Sequence, residues 1–145
     1  MKILICGSMA FAQDMLNSKK ILEKMGHHVI LPENTEDYTG GKLKKLASGW
    51  GTLEGAKRKI DNNLIRNYYN EIEKGDAVLI MNKDKNGIKN YISGNSFLEM
   101  GFAHVLGKKI YLFQGLPDKD DLPMYYQEIV AMQPDILNED LLKIK

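Results

Sequence analysis

The arrangement of apolar segments is the feature that most restricts how this 145-residue chain can fold. Four short apolar runs and a weaker fifth one alternate with longer segments of helical periodicity, which is typical of an α/β fold with a parallel sheet. The run at 77–81, Ala-Val-Leu-Ile-Met, is apolar throughout, as expected of a strand that is covered on both faces. The predicted strands are 3–6, 28–31, 77–81, 109–113 and 135–137.

The longer segments between these runs space their apolar residues as amphipathic helices do. A glycine closely follows three of them, where a helix often ends in a left-handed residue: Gly26, Gly75 and Gly107. Five parallel strands joined by right-handed crossovers predict a single doubly wound, flavodoxin-like α/β domain. The predicted helices are 12–25, 53–74, 96–106 and 122–132, with a short terminal helix after Asn138.

The segment 33–51 has neither a helical nor a strand pattern, and it holds four glycines. A loop of this length in a compact domain is more often functional than passive, so we interpret it as a lid. Its tryptophan, Trp50, would either stack on a base or anchor the loop to the core, and we favour the anchor.

The composition excludes several classes of partner. Apolar residues make up 43% of the chain and charged residues 27%, as is usual for a globular protein. A net charge of +1 provides no overall field to attract a nucleic acid polymer or an anionic membrane, and no stretch approaches the ~20 apolar residues of a bilayer span. Cys6 is the only cysteine, which excludes an internal disulfide and fits a reducing cytoplasm. We therefore expect a cytoplasmic protein in which Cys6 is a buried, unreactive thiol.

One carboxylate, Glu99, lies near the start of a helix that otherwise has the pattern of a core element. A small polar loop leads into Ser96, a candidate N-cap, and Glu99 follows three residues later in the arrangement of a capping box. The helix precedes the strand at 109–113, so Glu99 would lie at the mouth of the sheet, where open α/β proteins place their ligands. The spacing alone leaves a helix cap and a functional carboxylate equally open.

Two loops follow predicted strands directly and would meet at the same sheet edge. Gly7, Ser8 and Met9 follow the first strand, where free N–H groups suit a phosphate or a sugar hydroxyl, although a tight turn explains them as well. After the third strand, Asn82 is placed to bind a ligand hydroxyl and Asp84 is a weak acid/base candidate. The three histidines have no metal-ligand spacing with the cysteine or with a carboxylate, so we predict no metal site.

Taken together, these segments resemble the nucleoside 2-deoxyribosyltransferase superfamily, which includes the 2′-deoxynucleoside 5′-monophosphate N-hydrolases. The resemblance is carried in chain order by the opening Ile-Cys-Gly-Ser at 5–8, by 75–80, and by Phe-Leu-Glu-Met-Gly-Phe-Ala at 97–103 with the Gly-Lys-Lys-Ile that follows at 107–110. It implies one deoxyribosyltransferase-like domain over 1–145 that cleaves the N-glycosidic bond of deoxyribonucleosides or their 5′-monophosphates. It also implies a small-molecule nucleoside or nucleotide as ligand, no metal or organic cofactor, and a homodimer or higher homo-oligomer.

The resemblance assigns roles residue by residue. Glu99 falls at the nucleophile, which attacks the anomeric carbon, expels the base and passes a glycosyl-enzyme ester to water or to another base. Ser93 falls where the monophosphate hydrolases have a phosphate-binding serine and the transferases an aspartate. Gly94 and Asn95 lie beside it, so Ser93 and Asn95 are expected to bind sugar or phosphate. The residues expected to line the base or sugar end are Gly7, Ser8 and Met9.

The chain departs from the superfamily at three places. Ala10 stands where the hydrolases carry an arginine, Asn67 and Tyr68 stand near their usual aspartate, and Asn82 stands at the aspartate of the transferases. The second carboxylate is therefore missing, and Tyr68, Asp84 or water would have to protonate the leaving base.

The missing carboxylate keeps a second hypothesis open, a non-catalytic nucleotide-binding module of the same fold. A flavodoxin-type FMN protein is disfavoured because the first loop lacks a cradle rich in serine and threonine.

Overall fold

The sheet has the strand order that the alternating pattern predicts. A computed structural model of the chain describes residues 1–39 and 52–145. Within them, five strands form one sheet in the order β2-β1-β3-β4-β5, and each neighbouring pair is parallel. This is the flavodoxin-like order, with the topological switch point between β1 and β3. The strands are β1 (Lys2–Gly7), β2 (His28–Ile30), β3 (Ala77–Met81), β4 (Lys109–Leu112) and β5 (Asp135–Ile136).

Helices cover both faces of the sheet, which confirms the predicted doubly wound α/β class. Short 3-10 helices at Met9–Phe11 and Leu141–Lys143 add to them. Within the described ranges, none of the helices is long and apolar enough to cross a membrane. The α-helices are α1 (Ala12–Lys24), α2 (Thr35–Thr39), α3 (Leu53–Asp61), α4 (Leu64–Glu73), α5 (Gly94–Val105) and α6 (Tyr126–Ala131).

The two core layers follow from the alternation of side chains along the strands. Ile3 and Ile5 of β1 pack with Met15 of α1 on one face. Leu4 and Cys6 point to the other face, where α4, α5 and α6 supply the covering side chains. Cys6 is fully buried, as expected from the sequence. It lies on the same face of the sheet as α5, the helix that carries the candidate carboxylate.

The single helix predicted over 53–74 is wrong, because the chain breaks between α3 and α4. Asn63 has a left-handed backbone with φ of 50°, a conformation that asparagine tolerates better than most residues. The side-chain amide of Asn62 donates to the carbonyl of Arg58 and satisfies the end of α3. The α3 helix buries none of its residues, whereas α4 packs Ile72 into the core.

The start of α5 also differs from the prediction, since Ser93 and not Ser96 is the N-cap. The Ser93 hydroxyl oxygen accepts the backbone N–H of Ser96 at 3.1 Å, and the helix begins at Gly94. Glu99 therefore lies in the second turn, and the predicted capping box does not form. The α6 helix is likewise shorter than predicted and begins at Tyr126.

The predicted lid at 33–51 falls only in part within the described residues. Its first residues form α2, which the sequence pattern did not indicate. The prediction for Trp50 lies outside the described residues. Near the C-terminus, the expected terminal helix is the 3-10 turn at Leu141–Lys143, capped by the Asp140 carboxylate, which accepts the N–H of Leu142 at 3.1 Å.

Candidate active site

The candidate site lies at the carboxyl ends of β1 and β3, the switch point of the sheet. Gly7 and Met81 pair at the last position of these two strands. A Cβ on Gly7 would lie 3.0 Å from the Met81 Cβ and 3.2 Å from its carbonyl oxygen, so a larger residue would force the two strands slightly apart at this close approach. The α5 helix packs across β1, β3 and β4 above this edge.

Glu99 projects from the second turn of α5 into a nearly closed environment. Only 7% of its surface is exposed. The Asn95 amide, one turn earlier on the same helix face, donates to Glu99 Oε1 at 2.7 Å. The Lys59 ammonium of α3 in turn donates to Asn95 Oδ1 at 3.4 Å. The Asn95 amide thus holds one carboxylate oxygen of Glu99, and the Lys59 ammonium contacts that amide from a different helix.

The surroundings of Glu99 bring its ionisation close to neutral pH. Burial raises the pKa of Glu99 to about 7, while the Cys6 thiol, the Lys59 charge and the Asn95 amide oppose that rise. Near pH 7 the carboxyl group is then present in both forms, and these neighbours determine how much of it is ionised.

Cys6 supplies a neighbour that the sequence did not assign to the site. Its thiol lies close enough to Glu99 for each group to influence the ionisation of the other, and burial together with the Glu99 charge raises the pKa of Cys6 well above its usual value. The sulfur therefore keeps its proton. The alternation along β1 could have indicated this contact, since Cys6 and Leu4 share the face that α5 covers.

Tyr68, a candidate general acid, does lie beside this group, but its hydroxyl has another bond. It donates to the backbone carbonyl of Ile5 at 2.6 Å. Burial, with the Cys6 thiol and the Glu99 charge nearby, raises the pKa of Tyr68 well above its usual value. A phenol that holds its proton so firmly is poorly suited to protonate a leaving base at neutral pH.

Asp84, the other candidate acid, lies apart from Glu99. It is exposed, and its carboxylate accepts the backbone N–H of Asn90 at 3.0 Å. With Gln114 and Glu139 it borders a surface depression of about 350 Å³ at the loops after β3, β4 and β5. In the described part of the chain, the groups around Glu99 are Cys6, Tyr68, Asn95 and Lys59, and Asp84 is not among them.

Asn82, expected to bind a ligand hydroxyl, is fully buried and holds the loop that follows β4. Its amide nitrogen donates to the Gly115 carbonyl and its amide oxygen accepts the Gln114 N–H, both at 2.8 Å. These bonds use one amide hydrogen and one lone pair, so the side chain joins the ends of β3 and β4. The neighbouring residue, Lys83, pairs with Asp14 of α1 at 2.8 Å.

The first loop forms a compact polar corner. The Ser8 hydroxyl accepts the Lys85 ammonium at 2.9 Å and the N–H of Ala10 at 3.3 Å. The Lys85 ammonium also lies 5.1 Å from the centre of the Tyr91 ring, and burial lowers its pKa. Met9 is half-buried and packs against the core on the α1 face.

The remaining predicted residues lie at the start of α5. The Ser93 hydroxyl pairs with that of Ser96 at 2.9 Å, and a side chain at Gly94 would meet nothing within 4 Å. Asn95 links this first turn to Glu99. Within residues 1–39 and 52–145, no three His, Cys, Asp or Glu side chains converge as metal ligands would.

No protein-family profile and no curated protein matches the chain. A 2-deoxyribosyltransferase from the psychrotolerant bacterium Bacillus psychrosaccharolyticus is a structural neighbour. The two chains are 19% identical, the alignment covers 77% of this chain and 71% of that one, and the TM-score is 0.47. At this distance the likeness bears on neither activity nor substrate.

Proposed function

We propose that this protein cleaves the N-glycosidic bond of deoxyribonucleosides or their 5′-monophosphates, with Glu99 as the nucleophile. The observation that carries the proposal is a buried carboxyl group that the fold does not need. Ser93 already caps α5, and Glu99 lies in the second turn, where no free N–H requires it. Burying a carboxylate is costly, so its presence at the switch point of the sheet favours a functional group.

The reaction balances in two displacements. A Glu99 oxygen bonds to C1′ as the C1′–N bond breaks, and the base leaves with that electron pair and takes a proton from water. Water then attacks C1′ of the ester, loses a proton, and Glu99 departs as a carboxylate, so the configuration at C1′ is retained. A second free base in place of water gives transfer. Neither step needs a metal or an organic cofactor.

The other residues of the site contact different parts of the substrate. Asn95 orients one oxygen of Glu99 and leaves the second for C1′. Ser93 and Gly94, at the start of α5, take the sugar or phosphate, and the corner at 7–9 lines the base or sugar end. Asn82 supports this edge, where it is fully buried and joins the ends of β3 and β4.

We also propose that the protein forms a homodimer or a higher homo-oligomer. The α3 helix buries none of its residues, and its Leu53 and Ile60 are 90% and 76% exposed. Val105 of α5 is also largely exposed. Exposed apolar side chains on these helices suit contact with a second copy of the chain. The single cysteine is consistent with a reducing cytoplasm as the place of the reaction.

One observation favours the alternative, a nucleotide-binding module without turnover. Neither candidate acid is positioned to act, since Tyr68 is bonded to the Ile5 carbonyl and Asp84 lies away from Glu99. Such a protein would bind deoxynucleotides and release no base.

The test incubates a panel of deoxynucleosides and their 5′-monophosphates with the protein and separates the products by chromatography. We expect free base from the wild type and from Glu128→Gln, an exposed charge-matched control on α6, and none from Glu99→Gln. Mass spectrometry of acid-quenched samples should find the sugar ester on the peptide with Glu99. Tight binding of a monophosphate with no base from any variant would refute the enzyme and support the binding module. A second free base in the reaction separates transfer from hydrolysis.

A further inference from the structure

We propose that Lys59 is a positioning residue of this site, which sets the orientation of the Asn95 amide and thereby keeps Glu99 in its nucleophilic form. The inference rests on the proposed function for its catalytic consequence. The contacts that carry it are the bond from Lys59 Nζ to Asn95 Oδ1 at 3.4 Å and the bond from Asn95 Nδ2 to Glu99 Oε1 at 2.7 Å.

Lys59, Asn95 and Glu99 form a hydrogen-bond relay, and the chemistry of these three groups fixes its direction. A lysine ammonium has only donors, so it can meet Asn95 only at the amide oxygen. That choice turns the amide nitrogen toward Glu99, where a carboxylate needs a donor. If the amide flipped, Asn95 Nδ2 would face the ammonium and Asn95 Oδ1 would face the carboxylate, and both contacts would be repulsive. Lys59 therefore selects the one amide orientation that stabilises ionised Glu99.

Lys59 is well placed for this role by its own helix. It lies in the last turn of α3, where the helix dipole favours a cation. Its charge also acts directly on Glu99 and opposes the effect of burial on the Glu99 pKa. Among residues 1–39 and 52–145, the other groups that face Glu99 are the Cys6 thiol from β1, the Tyr68 phenol from α4 and the Asn95 amide from α5. Among these four groups, Lys59 is the only cation.

Removal of Lys59 should change the ionisation of Glu99 more than it changes the fold, because Lys59 is exposed. In Lys59→Gln, the positive charge is lost, and the new amide can donate or accept, so it no longer selects one orientation of Asn95; the pKa of Glu99 therefore rises. A rise of about half a pH unit would lower the ionised fraction about threefold at pH 6.5 and hardly at all at pH 9. A residue with only a structural role would lower activity at every pH.

The first experiment follows Glu99 directly, by carbon NMR titration of protein labelled at the glutamate carboxyl carbons. The Glu99 signal is the one that Glu99→Gln removes. We expect Lys59→Gln to titrate about half a unit or more above the wild type, and Lys59→Arg to restore the wild-type curve. Lys57→Gln, two residues earlier on α3 and paired with Asp61, is the charge-matched control and should leave the curve unchanged.

A double mutant tests the route through Asn95. If the amide carries most of the effect, the shift caused by Lys59→Gln should be much smaller when Asn95 is already alanine. Higher salt should also reduce the part of the shift that comes from charge. Coincident Glu99 titrations in the wild type, Lys59→Gln and Lys57→Gln would overturn the inference.

The second experiment measures base release against pH for the same variants. Lys59→Gln should lose about threefold in kcat/KM at pH 6.5 and converge with the wild type at pH 9. If no variant releases base while the NMR shift is present, the relay stands and the proposed enzyme falls. Base release by the wild type together with an unmoved Glu99 titration in Lys59→Gln would refute the relay and leave the enzyme intact.

Discussion

The Tyr68 hydroxyl donates to the Ile5 carbonyl at 2.6 Å and so joins α4 to β1 one residue before Cys6. The bond connects a residue from the helix before β3 with an interior strand of the sheet. It gives Tyr68 a structural role next to Glu99, although the sequence marked it as a candidate acid.

Tyr68→Phe tests this role. The substitution removes the donor to Ile5 while keeping the ring, so we expect a loss of about 1–2 kcal/mol in the free energy of unfolding. Base release should persist, because a phenol with a raised pKa is not the proton source. Denaturant unfolding and the product assay measure the two effects. Loss of turnover with unchanged stability would instead identify Tyr68 as the acid.

The ionisation of Glu99 predicts how stability depends on pH. The folded-state pKa of Glu99 is raised from 4.5 to about 7, so below pH 4.5 both the folded and unfolded states are protonated there and burial carries no charge penalty. As the pH rises from 4.5 through 7, ionisation of Glu99 lowers the free energy of unfolding, and the loss reaches about 3 kcal/mol above pH 7. Glu99→Gln should therefore be more stable than the wild type at pH 8, and the difference should shrink toward pH 4.

Thermal unfolding of the two proteins across pH 4–8 measures this difference. Glu128→Gln removes an exposed charge instead and should follow the wild-type curve. A wild type as stable as Glu99→Gln at pH 8 would mean that Glu99 carries no buried charge.

Asn82→Ala should destabilise the sheet edge. The change deletes both bonds that join the end of β3 to Gln114 and Gly115, and it leaves a backbone N–H and a carbonyl without those partners. We expect a loss of about 2–3 kcal/mol in unfolding free energy. Asn70→Ala, at an exposed position of α4, should stay within about 0.5 kcal/mol of the wild type. Similar urea unfolding midpoints for Asn82→Ala and Asn70→Ala would show that Asn82 does not hold the ends of β3 and β4 together.

The exposed face of α3 predicts the oligomeric state. Light scattering coupled to gel filtration should give at least twice the 16.5 kDa of one chain. Ile60→Glu places a charge in the expected contact and should shift the mass toward that of a single chain, whereas Lys57→Gln should not. A wild-type mass equal to that of one chain would contradict the expected homo-oligomer.

The sequence was sufficient to predict most of the sheet, and it singled out three residues that lie together at the candidate site, Glu99, Asn95 and Tyr68. Continuous apolar runs mark buried strands, so the five strands and their α/β class were predictable. The break between α3 and α4 was not, because Asn63 takes a left-handed backbone without the proline or glycine that usually signals one. The cap of α5 was misassigned because Ser93 and Ser96 both precede the apolar stripe, and only the backbone shows which one accepts.

The site was less predictable because its contacts join distant elements. Glu99 stood out from its place before a strand, and the Asn95 contact follows from helical spacing. Lys59 reaches Asn95 across 36 residues and depends on how α3 lies beside α5, which no local pattern encodes. Asn82 was expected to face a ligand, but a polar side chain at a strand end can equally hold the neighbouring loop, and both options look alike in sequence.

Because Cys6 is buried, its reaction with a thiol reagent can report how often β1 and α5 separate. The thiol is inaccessible in β1, and its raised pKa keeps the reactive thiolate scarce, so an aromatic disulfide reagent can modify it only after β1 separates from α5. Because the chain has one cysteine, the colour released reports a single event per molecule. Its rate would measure how often the element beneath Glu99 is exposed, and a bound nucleotide that closes the site should slow it in proportion to occupancy.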